Sequence, residues 1–349
     1  MTDTKGRIVK KSAVALFVKD EIYDIAGWIS WYVSLGFEKI YIYDDHSTDG
    51  TYEVCLAASS IYDIEVFRTD IKKETNFFWR QRDSYFDACR RASGKYEWIA
   101  LLDCDEYISL DGYQSINDFL NKFENFNGIA LNWCIYGSSS RAIKDHIPVY
   151  DAFIAHSNYD FGDNRLVKSI IRPNNCNFQY TDPHRFYMNN ECYADSLCDV
   201  FDWQGSTKNV LWEGARVNHY ICRSMEHYVS RIKRRLGVDL HDSVVYWDHF
   251  NRNEIIEAPN PILSKKSNNF LERIKEIIIK NYLFEVRFKN KISLSSNIKC
   301  SAKVFLINDY FGNQLCLNNI DGHIISEKNT DCINNKIYGV KYENENKIY

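Results

Sequence analysis

Apolar and polar positions alternate along the first 135 residues in a way that predicts strands and helices in turn. Short apolar runs that end in charged or turn residues predict buried strands, and longer stretches with apolar residues three and four positions apart predict helices. The predicted strands are residues 13–18, 39–43, 64–67, 98–102 and 129–133. The predicted helices are residues 22–35, 51–58, 77–92 and 116–126. This order predicts an α/β fold in which a mainly parallel sheet is flanked by helices.

The rest of the chain is less regular. Between residues 136 and 250, only a basic helix at 224–236 is predicted, and a further helix is predicted at 271–284. From about residue 290 onwards, short alternating stretches predict a small β-rich appendage. The predicted organisation is one domain over residues 1–255, a helical linker over 256–289 and the β-rich C-terminal region over 290–349.

Composition excludes some classes of protein. The 349 residues are 45% hydrophobic, which is enough to form a sizeable core. The net charge of −4 gives no support to a nucleic acid as partner. The eleven cysteines are scattered without a CxxC pair, so we expect buried thiols rather than disulfides. No window approaches the roughly 20 apolar residues of a membrane span, and we expect a cytoplasmic protein.

Three polar clusters fall where predicted strands end: Lys19-Asp20-Glu21, Asp44-Asp45 and Asp103-Cys104-Asp105. In open parallel sheets, ligands bind outside the carboxyl ends of the strands. The three clusters therefore predict a single site at one edge of the sheet.

Asp103 and Asp105 carry the most informative chemistry. Residues i and i+2 of an extended segment point the same way, and a hard divalent cation relieves the repulsion between two carboxylates. Such an ion also absorbs charge that develops on a diphosphate leaving group. A solvated turn is the alternative interpretation of this pair. Glu106 is expected to support the pair or to cap the turn.

The other two clusters and one helix predict contacts with a nucleotide. A carboxylate of Asp44 or Asp45 can accept a hydrogen bond from a ribose hydroxyl or a base N–H. Lys19, Asp20 and Glu21 would form the neighbouring loop, or else a plain surface loop. Arg80, with Gln81 and Arg82 on the predicted helix, would meet the phosphates or the base, or else form a solvated face.

Several segments together resemble glycosyltransferases of families 2 and 92. WISWY at 28–32 and IYIYDDHSTDGT at 40–51 resemble the opening of these enzymes, and YEWIALLDCDEYI at 96–108 resembles their metal-binding segment. NWCIYGSS at 132–139 resembles their acceptor-side segment. The likeness continues to about residue 240 through the segments KSIIRP (168–173), HR (184–185), NHY (218–220) and RSME (223–226).

This resemblance implies a GT-A fold, with the donor half at about 1–135 and the acceptor half at 136–255. It implies a nucleotide-diphosphate sugar donor, by preference a UDP-sugar, a glycan or lipid-linked glycan acceptor, and Mn²⁺ or Mg²⁺. By position, Asp45 would contact the nucleotide and Asp103 and Asp105 would flank the metal. His219 would be a third ligand, and an imidazole suits Mn²⁺ better than Mg²⁺.

An inverting transfer also needs a general base near the acceptor hydroxyl. The acidic candidates are Asp163, Asp182, Asp202 and Glu213, and the sequence does not rank them. Cations near the leaving group stabilise its charge, and the candidates for this role or for acceptor contact are Lys168, Arg172, Arg231 and Lys233. The basic helix that carries the last two could instead present a solvated basic face, or touch anionic lipid as a peripheral contact at the inner face of a membrane.

Two other functions stay open at the level of sequence. A nucleotidyltransferase also pairs carboxylates with Mg²⁺, although residues 13–21 contain no glycine for a phosphate loop. A non-enzymatic carbohydrate-binding protein could use the C-terminal β-rich region.

Overall fold

The computed structural model describes residues 12–143, 146–200, 206–236 and 240–292, together with two strands nearer the C-terminus. The strands up to residue 256 are β1 Ser12–Val18, β2 Lys39–Asp44, β3 Ile64–Arg68, β4 Trp98–Leu102, β5 Glu106–Leu110, β6 Gly128–Ile135, β7 Ala155–His156, β8 Val167–Ile171, β9 Cys176–Asp182, β10 Arg185–Met188, β11 Tyr193–Ala194, β12 Ala215–His219 and β13 Ile255–Ile256. The helices are α1 Ile25–Leu35, α2 Thr51–Ser59, α3 Phe77–Ala92, α4 Ile116–Leu120, α5 Val149–Ala152, α6 Met225–Leu236, α7 Leu240–Phe250 and α8 Pro261–Ile292.

A nine-stranded sheet forms the centre of the fold, in the order β3-β2-β1-β4-β8-β6-β12-β5, with β11 paired to β6. β1 is parallel to β2 and β4, β2 is parallel to β3, and β6 is parallel to β12. β8 runs antiparallel to both β4 and β6, and β5 runs antiparallel to β12. The predicted α/β class with a mainly parallel sheet is therefore confirmed.

The five strands predicted in the first 135 residues are all present, and several helix ends differ from prediction. α1 begins three residues later than predicted, because the backbone N–H of Ile22 donates to Asp49 Oδ2 (3.0 Å) in a loop instead of joining the helix. α4 ends at Leu120, well before the predicted end at residue 126. β5, β8 and β12 were not predicted as strands.

Helix α1 fixes the backbone that follows β4. Trp28 Nε1 donates to the carbonyl oxygens of Asp103 (3.1 Å) and Glu106 (3.2 Å), and Tyr32 OH donates to the same Glu106 carbonyl (2.9 Å). Trp31 Nε1 donates to the carbonyl of Ile108 (2.8 Å). All three aromatic side chains are buried. Buried tryptophan and tyrosine need such partners for their polar atoms, so core packing and placement of the 103–108 segment are achieved together.

Helix α8 is longer than the predicted helix at 271–284, and it packs against α1. Leu271, Ile274 and Ile278 are buried in the main core, and Lys266 Nζ donates to the carbonyl of Ser34 (2.6 Å). Beyond it, strands Leu315–Ile320 and His323–Lys328 pair antiparallel. The rest of the predicted β-rich region lies outside the described residues, and the domain boundaries stay a prediction.

Two further findings concern the whole described part of the chain. Its eight cysteines whose side chains are described are all free thiols, and six of them are buried. None of its helices combines the length and the apolar character that crossing a membrane requires.

Candidate active site

The loops that follow β1 and β2 are joined by hydrogen bonds. The backbone N–H of Asp20 donates to Ser47 Oγ (2.8 Å), and that of Glu21 donates to Thr51 Oγ1 (2.8 Å). In return, the backbone N–H of Thr48 donates to Asp20 Oδ1 (2.8 Å). Two of the three predicted clusters therefore form one continuous wall at the carboxyl end of the sheet.

Asp45 is fully buried and forms a bidentate ion pair with Arg80 of α3. Arg80 Nε donates to Oδ1 (2.6 Å) and Nη2 donates to Oδ2 (2.8 Å). Thr69 Oγ1 donates to Oδ1 (2.6 Å), and Lys19 Nζ donates to the Asp45 carbonyl (2.7 Å). Burial alone would raise the pKa of Asp45, but the Arg80 guanidinium outweighs it and the pKa lies below its usual value. Both carboxylate oxygens already have partners, so any nucleotide contact at Asp45 would be shared with Arg80.

Asp44, next to it, is also fully buried. Its carboxylate accepts the backbone N–H of Ser47 (3.2 Å) and lies 3.6 Å from Arg68 Nε. Burial raises the pKa of Asp44, because these partners only partly replace water. Asp44 thus shapes the turn after β2.

Asp103 receives three hydrogen bonds from two elements. Gln81 Nε2 (2.8 Å) and Tyr85 OH (3.0 Å), one turn apart on α3, donate to Oδ1. Lys168 Nζ, from the adjacent strand β8, donates to Oδ2 (2.7 Å). Burial would raise the pKa of Asp103, but the Lys168 ammonium prevails and the pKa is lowered. The side chain keeps 30% of its surface exposed, so an ionised carboxylate is presented towards solvent in a fixed orientation.

Lys168 also contacts Glu106, which is buried directly behind Asp103. Its Nζ lies 3.2 Å from Glu106 Oε2, which in turn accepts the backbone N–H of Asp103 (2.8 Å). Burial is the main reason why the pKa of Glu106 is raised to about 8. The charge of Asp103 raises this pKa as well, and the charge of Lys168 lowers it without reversing the shift. The lysine is 1% exposed, so in this arrangement it supports Asp103 rather than facing a bound phosphate.

Asp105 is held by a second cation. Its Oδ2 lies 2.8 Å from Arg231 Nη1 of α6 and 3.6 Å from His219 Nε2, at the end of β12. The backbone N–H of Tyr220 donates to the Asp105 carbonyl (2.8 Å). Burial opposes ionisation, but Arg231 and then His219 outweigh it, so the pKa of Asp105 is well below its usual value.

The surroundings of His219 favour the neutral form of its imidazole. Its ring packs on Trp133, with centroids 4.2 Å apart, and burial is the main cause of its lowered pKa. Neutral imidazole is the form that binds metals. β12 brings His219 here because its antiparallel register with β5 sets His219 opposite Glu106.

The backbone between the two aspartates corrects one prediction. Residues 103–105 are not extended: they form a turn in which the Glu106 N–H donates to the Asp103 carbonyl (3.2 Å). The expected i, i+2 geometry is therefore wrong, since α1 holds this backbone against the core. The carboxylates are nonetheless close enough that the charge of Asp105 raises the pKa of Asp103.

Comparison with known proteins identifies the family. The sequence profile of glycosyltransferase family 92 matches residues 13–196, which is more than half of the chain and includes β1 to β11. The chain belongs to glycosyltransferase family 92. This confirms the predicted resemblance to family 92.

Individual relatives are distant. A family 92 protein of Oryza sativa subsp. japonica is 26% identical over 115 residues, which cover 32% of this chain and 18% of the relative. A family 92 protein of Ricinus communis is 22% identical over 242 residues, which cover 68% of this chain and 40% of the relative. The matches thus span less than half of each relative.

Among solved structures, Staphylococcus aureus TarS is similar in two crystal structures. The structure of its residues 1–349 gives a TM-score of 0.34 at 13% identity, covering 92% of this chain and 97% of that one. The other TarS structure gives a TM-score of 0.32 at 14% identity, covering 92% of this chain and 59% of that one.

The donor types at Asp103, Asp105 and His219 are those that a divalent metal takes, although among the described residues the ligand atoms of these three do not all lie within 4.8 Å of one another. Asp103, Asp105 and His219 offer two ionised carboxylates and a neutral imidazole, a set that suits Mn²⁺. Among the described residues, His219 Nδ1 is buried without a hydrogen-bond partner, and Asp105 Oδ2 has the ion pair with Arg231 (2.8 Å) and the approach of His219 Nε2 (3.6 Å) as its contacts. Lys168 and Arg231 each pair with one of the two carboxylates, so a bound ion would share these ligands with two protein cations.

The predicted general bases are dispersed. Asp163 Oδ2 lies 2.5 Å from His249 Nε2 of α7. Asp182 Oδ1 accepts the backbone N–H of His184 (2.8 Å) at the β9–β10 turn. Glu213 has an exposed side chain in the loop before β12. The charges of Asp182, Asp103 and Lys168 all act on the pKa of His184, which places Asp182 in the same part of the molecule as Asp103.

Of the other candidate cations and acids, Arg172 lies at the opposite end of β4, stacked over Trp98 at the start of that strand (4.3 Å from Cζ to the ring centroid). Asp202 and the side chain of Lys233 lie outside the part of the chain that the structure describes. Sequence reasoning missed Tyr85 and Arg223. Tyr85 could have been found, because it stands four residues after Gln81 on the same helical face.

Proposed function

We propose that this chain is a metal-dependent glycosyltransferase that moves a sugar from a UDP-sugar to a hydroxyl of a glycan or lipid-linked glycan, with inversion, in the biosynthesis of a polysaccharide. One observation carries the proposal. Asp103 and Asp105 follow β4 and are each paired with a buried cation, and His219 lies 3.6 Å from Asp105, beside the two loops at the carboxyl end of the sheet.

The metal would be held by Asp103, Asp105 and His219, and when bound it would neutralise charge that develops on the departing diphosphate. The protein's own contribution is preorganisation. Gln81 and Tyr85 set the orientation of Asp103. Since these donors are already in place, no reorientation is needed during the reaction.

The nucleotide would lie against the wall formed by the β1–α1 and β2–α2 loops. Lys19 is 43% exposed there and can reach a phosphate or a ribose oxygen, while Arg80 and Asp45 keep the start of α3 beside the loops. Asp182, close to Asp103, is our choice for the general base that removes the proton of the acceptor hydroxyl.

The proposal is tested first on the unmodified protein. Thermal-shift screening with UDP-, GDP- and CMP-sugars, with and without Mn²⁺, is expected to show stabilisation by UDP-sugars only when the metal is present. Release of pyrophosphate in place of UDP during turnover would point to nucleotidyl transfer instead.

The second test is a pair of matched variants. Asp105→Asn keeps the shape of the side chain and removes its charge, so we expect it to abolish Mn²⁺-dependent UDP binding in calorimetry. Asp63→Asn removes an exposed carboxylate that pairs with Lys39 outside the site, and it should bind UDP as the wild type does. Equal UDP affinity of Asp105→Asn and the wild type in Mn²⁺ would refute the metal role.

A further inference from the structure

Arg223 lies in the segment between β12 and α6 and is fully buried. A single nitrogen, Nη1, makes all of its described hydrogen bonds. It donates to Glu21 Oε2 (2.6 Å) and Asp24 Oδ2 (2.5 Å) in the first loop, and it lies 3.0 Å from His227 Nε2 on α6. The guanidinium thus joins three parts of the chain: the β1–α1 loop, the segment that follows His219, and the start of α6.

The three side chains around Arg223 Nη1 are of the types that can also hold a metal ion. Among the described residues, Glu21, Asp24 and His227 form the one group of three acidic or imidazole side chains whose ligand atoms lie within 4.8 Å of one another. A fixed arginine fills this position.

The charges explain why an arginine is needed. Asp24 is 2% exposed and Glu21 lies at the edge of the same cluster. Burial would lower the pKa of Arg223, but Glu21, Asp24 and Asp105 together raise it well above its usual value. Asp105 belongs to the candidate metal site, so Arg223 contributes positive charge to that site and to the donor loop at once.

We propose that Arg223 is a positioning residue that locks the β1–α1 loop in its donor-binding position and links that loop to Asp105. This rests on the proposed function, since it assigns the loop and Asp105 to one donor site. Nε and Nη2 of Arg223 are buried without hydrogen-bond partners in the described part of the chain. The contribution of this residue therefore lies in its positive charge and in the contacts of Nη1.

The test measures UDP binding in the presence of Mn²⁺ by calorimetry. Arg223→Met is expected to weaken binding about 10-fold or more, a typical size for coupling between linked sites. Arg223→Lys, which keeps a cation, should lose less. Arg216→Met is the matched control: Arg216 is a partly buried arginine paired with Glu257, and its loss should lower the melting temperature but leave the Kd for UDP unchanged.

A double-mutant cycle separates positioning from a purely structural role. If Glu21 acts on UDP through Arg223, the effects of Glu21→Gln and Arg223→Met on the Kd will not add. Additive effects, or an unchanged Kd in folded Arg223→Met, would overturn the inference. If Arg223→Met does not fold, the cycle is run with Arg223→Lys instead. The effect of Glu21→Gln on the Kd is then measured in the wild-type background and in the Arg223→Lys background, and equal effects would overturn the inference.

The failure of this inference is distinguishable from failure of the proposed function. If the wild type binds no UDP with Mn²⁺, the proposed function itself is wrong. If the wild type binds UDP and Arg223→Met binds it equally well, only the role of Arg223 is wrong.

Discussion

Lys168 Nζ lies 2.7 Å from Asp103 Oδ2 and donates to it from the neighbouring strand. The same ammonium lies 3.2 Å from Glu106 Oε2. One buried cation therefore faces two carboxylates. Pairing across adjacent strands makes this arrangement rigid, and because burial raises the pKa of Glu106 to about 8, the ammonium mainly balances the charge of Asp103.

Replacing Lys168 by methionine should therefore be costly. Removal of one partner from a buried ion pair leaves an uncompensated charge and typically costs about 3–5 kcal/mol. We expect Lys168→Met to lower the free energy of unfolding by about that amount and to abolish sugar transfer. Urea unfolding and a UDP-release assay would measure the two effects.

Lys39→Met is the control for the loss of a lysine. Its ammonium also contacts two carboxylates, but these keep more contact with solvent, since the side chain of Asp63 is 63% exposed and that of Glu65 is 42% exposed. Pairs of this kind contribute roughly 0–1 kcal/mol. If both variants lost the same stability, Lys168 would not be the internal counter-ion described here.

The strands that sequence predicted and those that it missed differ for a physical reason. β1 and β4 are unbroken apolar runs, because both of their faces are covered. In β8, Lys168 and Ser169 interrupt the run, and β12 ends in Asn218 and His219. Polar residues at buried positions hide a strand from any hydrophobic pattern, and these strands carry the site.

The chemistry of the site was predictable only in part. The carboxylate at Asp103 follows from its place after an apolar strand. Its partners Gln81 and Lys168 lie 22 and 65 residues away along the chain, and no local pattern pairs them with it. The bond between Arg80 and Asp45 likewise depends on how α3 packs over β1.

Among the candidate bases, Asp182 should matter most for the rate. It lies close to Lys168 and Asp103, as the pKa of His184 indicates, whereas Asp163 pairs with His249 and Glu213 is exposed. Loss of a general base typically costs about 10²–10⁴-fold in rate. We expect a kcat loss of about 100-fold or more in Asp182→Asn and little change in Asp163→Asn or Glu213→Gln, measured at saturating UDP-sugar. If kcat fell further in Asp163→Asn or Glu213→Gln than in Asp182→Asn, the residue changed in that variant would be the general base instead.

The ion pair of Asp45 and Arg80 should appear in the acid dependence of stability. The pKa of Asp45 is lowered in the folded state, so the folded protein binds fewer protons there than the unfolded chain, whose aspartate pKa is about 3.9. The stabilisation is therefore complete above the unfolded pKa and is lost as pH falls through the folded pKa.

Asp45→Asn isolates this contribution. The difference in unfolding free energy between wild type and variant should be constant from about pH 7 to pH 5 and should shrink below about pH 4. Urea titrations at a series of pH values would measure it. A difference that grows as the pH falls would contradict the lowered pKa.

Gly137 tests how tightly the segment after β6 is packed. A Cβ at this position would lie 2.2 Å from the Arg252 carbonyl oxygen, a backbone atom that cannot rotate away. The next two residues are also held against the 251–253 segment. The backbone N–H of Ser138 donates to Asn251 Oδ1 (2.7 Å), and that of Ser139 donates to Asn253 Oδ1 (2.7 Å). Overpacking of this kind costs about 1–3 kcal/mol, so Gly137→Ala should lower the melting temperature.

Gly27→Ala provides the opposite expectation in the same chain. In the middle of α1, the added Cβ would meet only Pro148 Cβ, at the ordinary contact distance of 3.9 Å. Alanine is favoured over glycine inside a helix by about 1 kcal/mol, so this variant should melt at the same temperature as the wild type or higher. Because both changes add one methyl group, a lower melting temperature only in Gly137→Ala would locate the effect at the contact with residue 252. Equal melting temperatures for the two variants would show that the 137–139 segment can move away from residues 251–253.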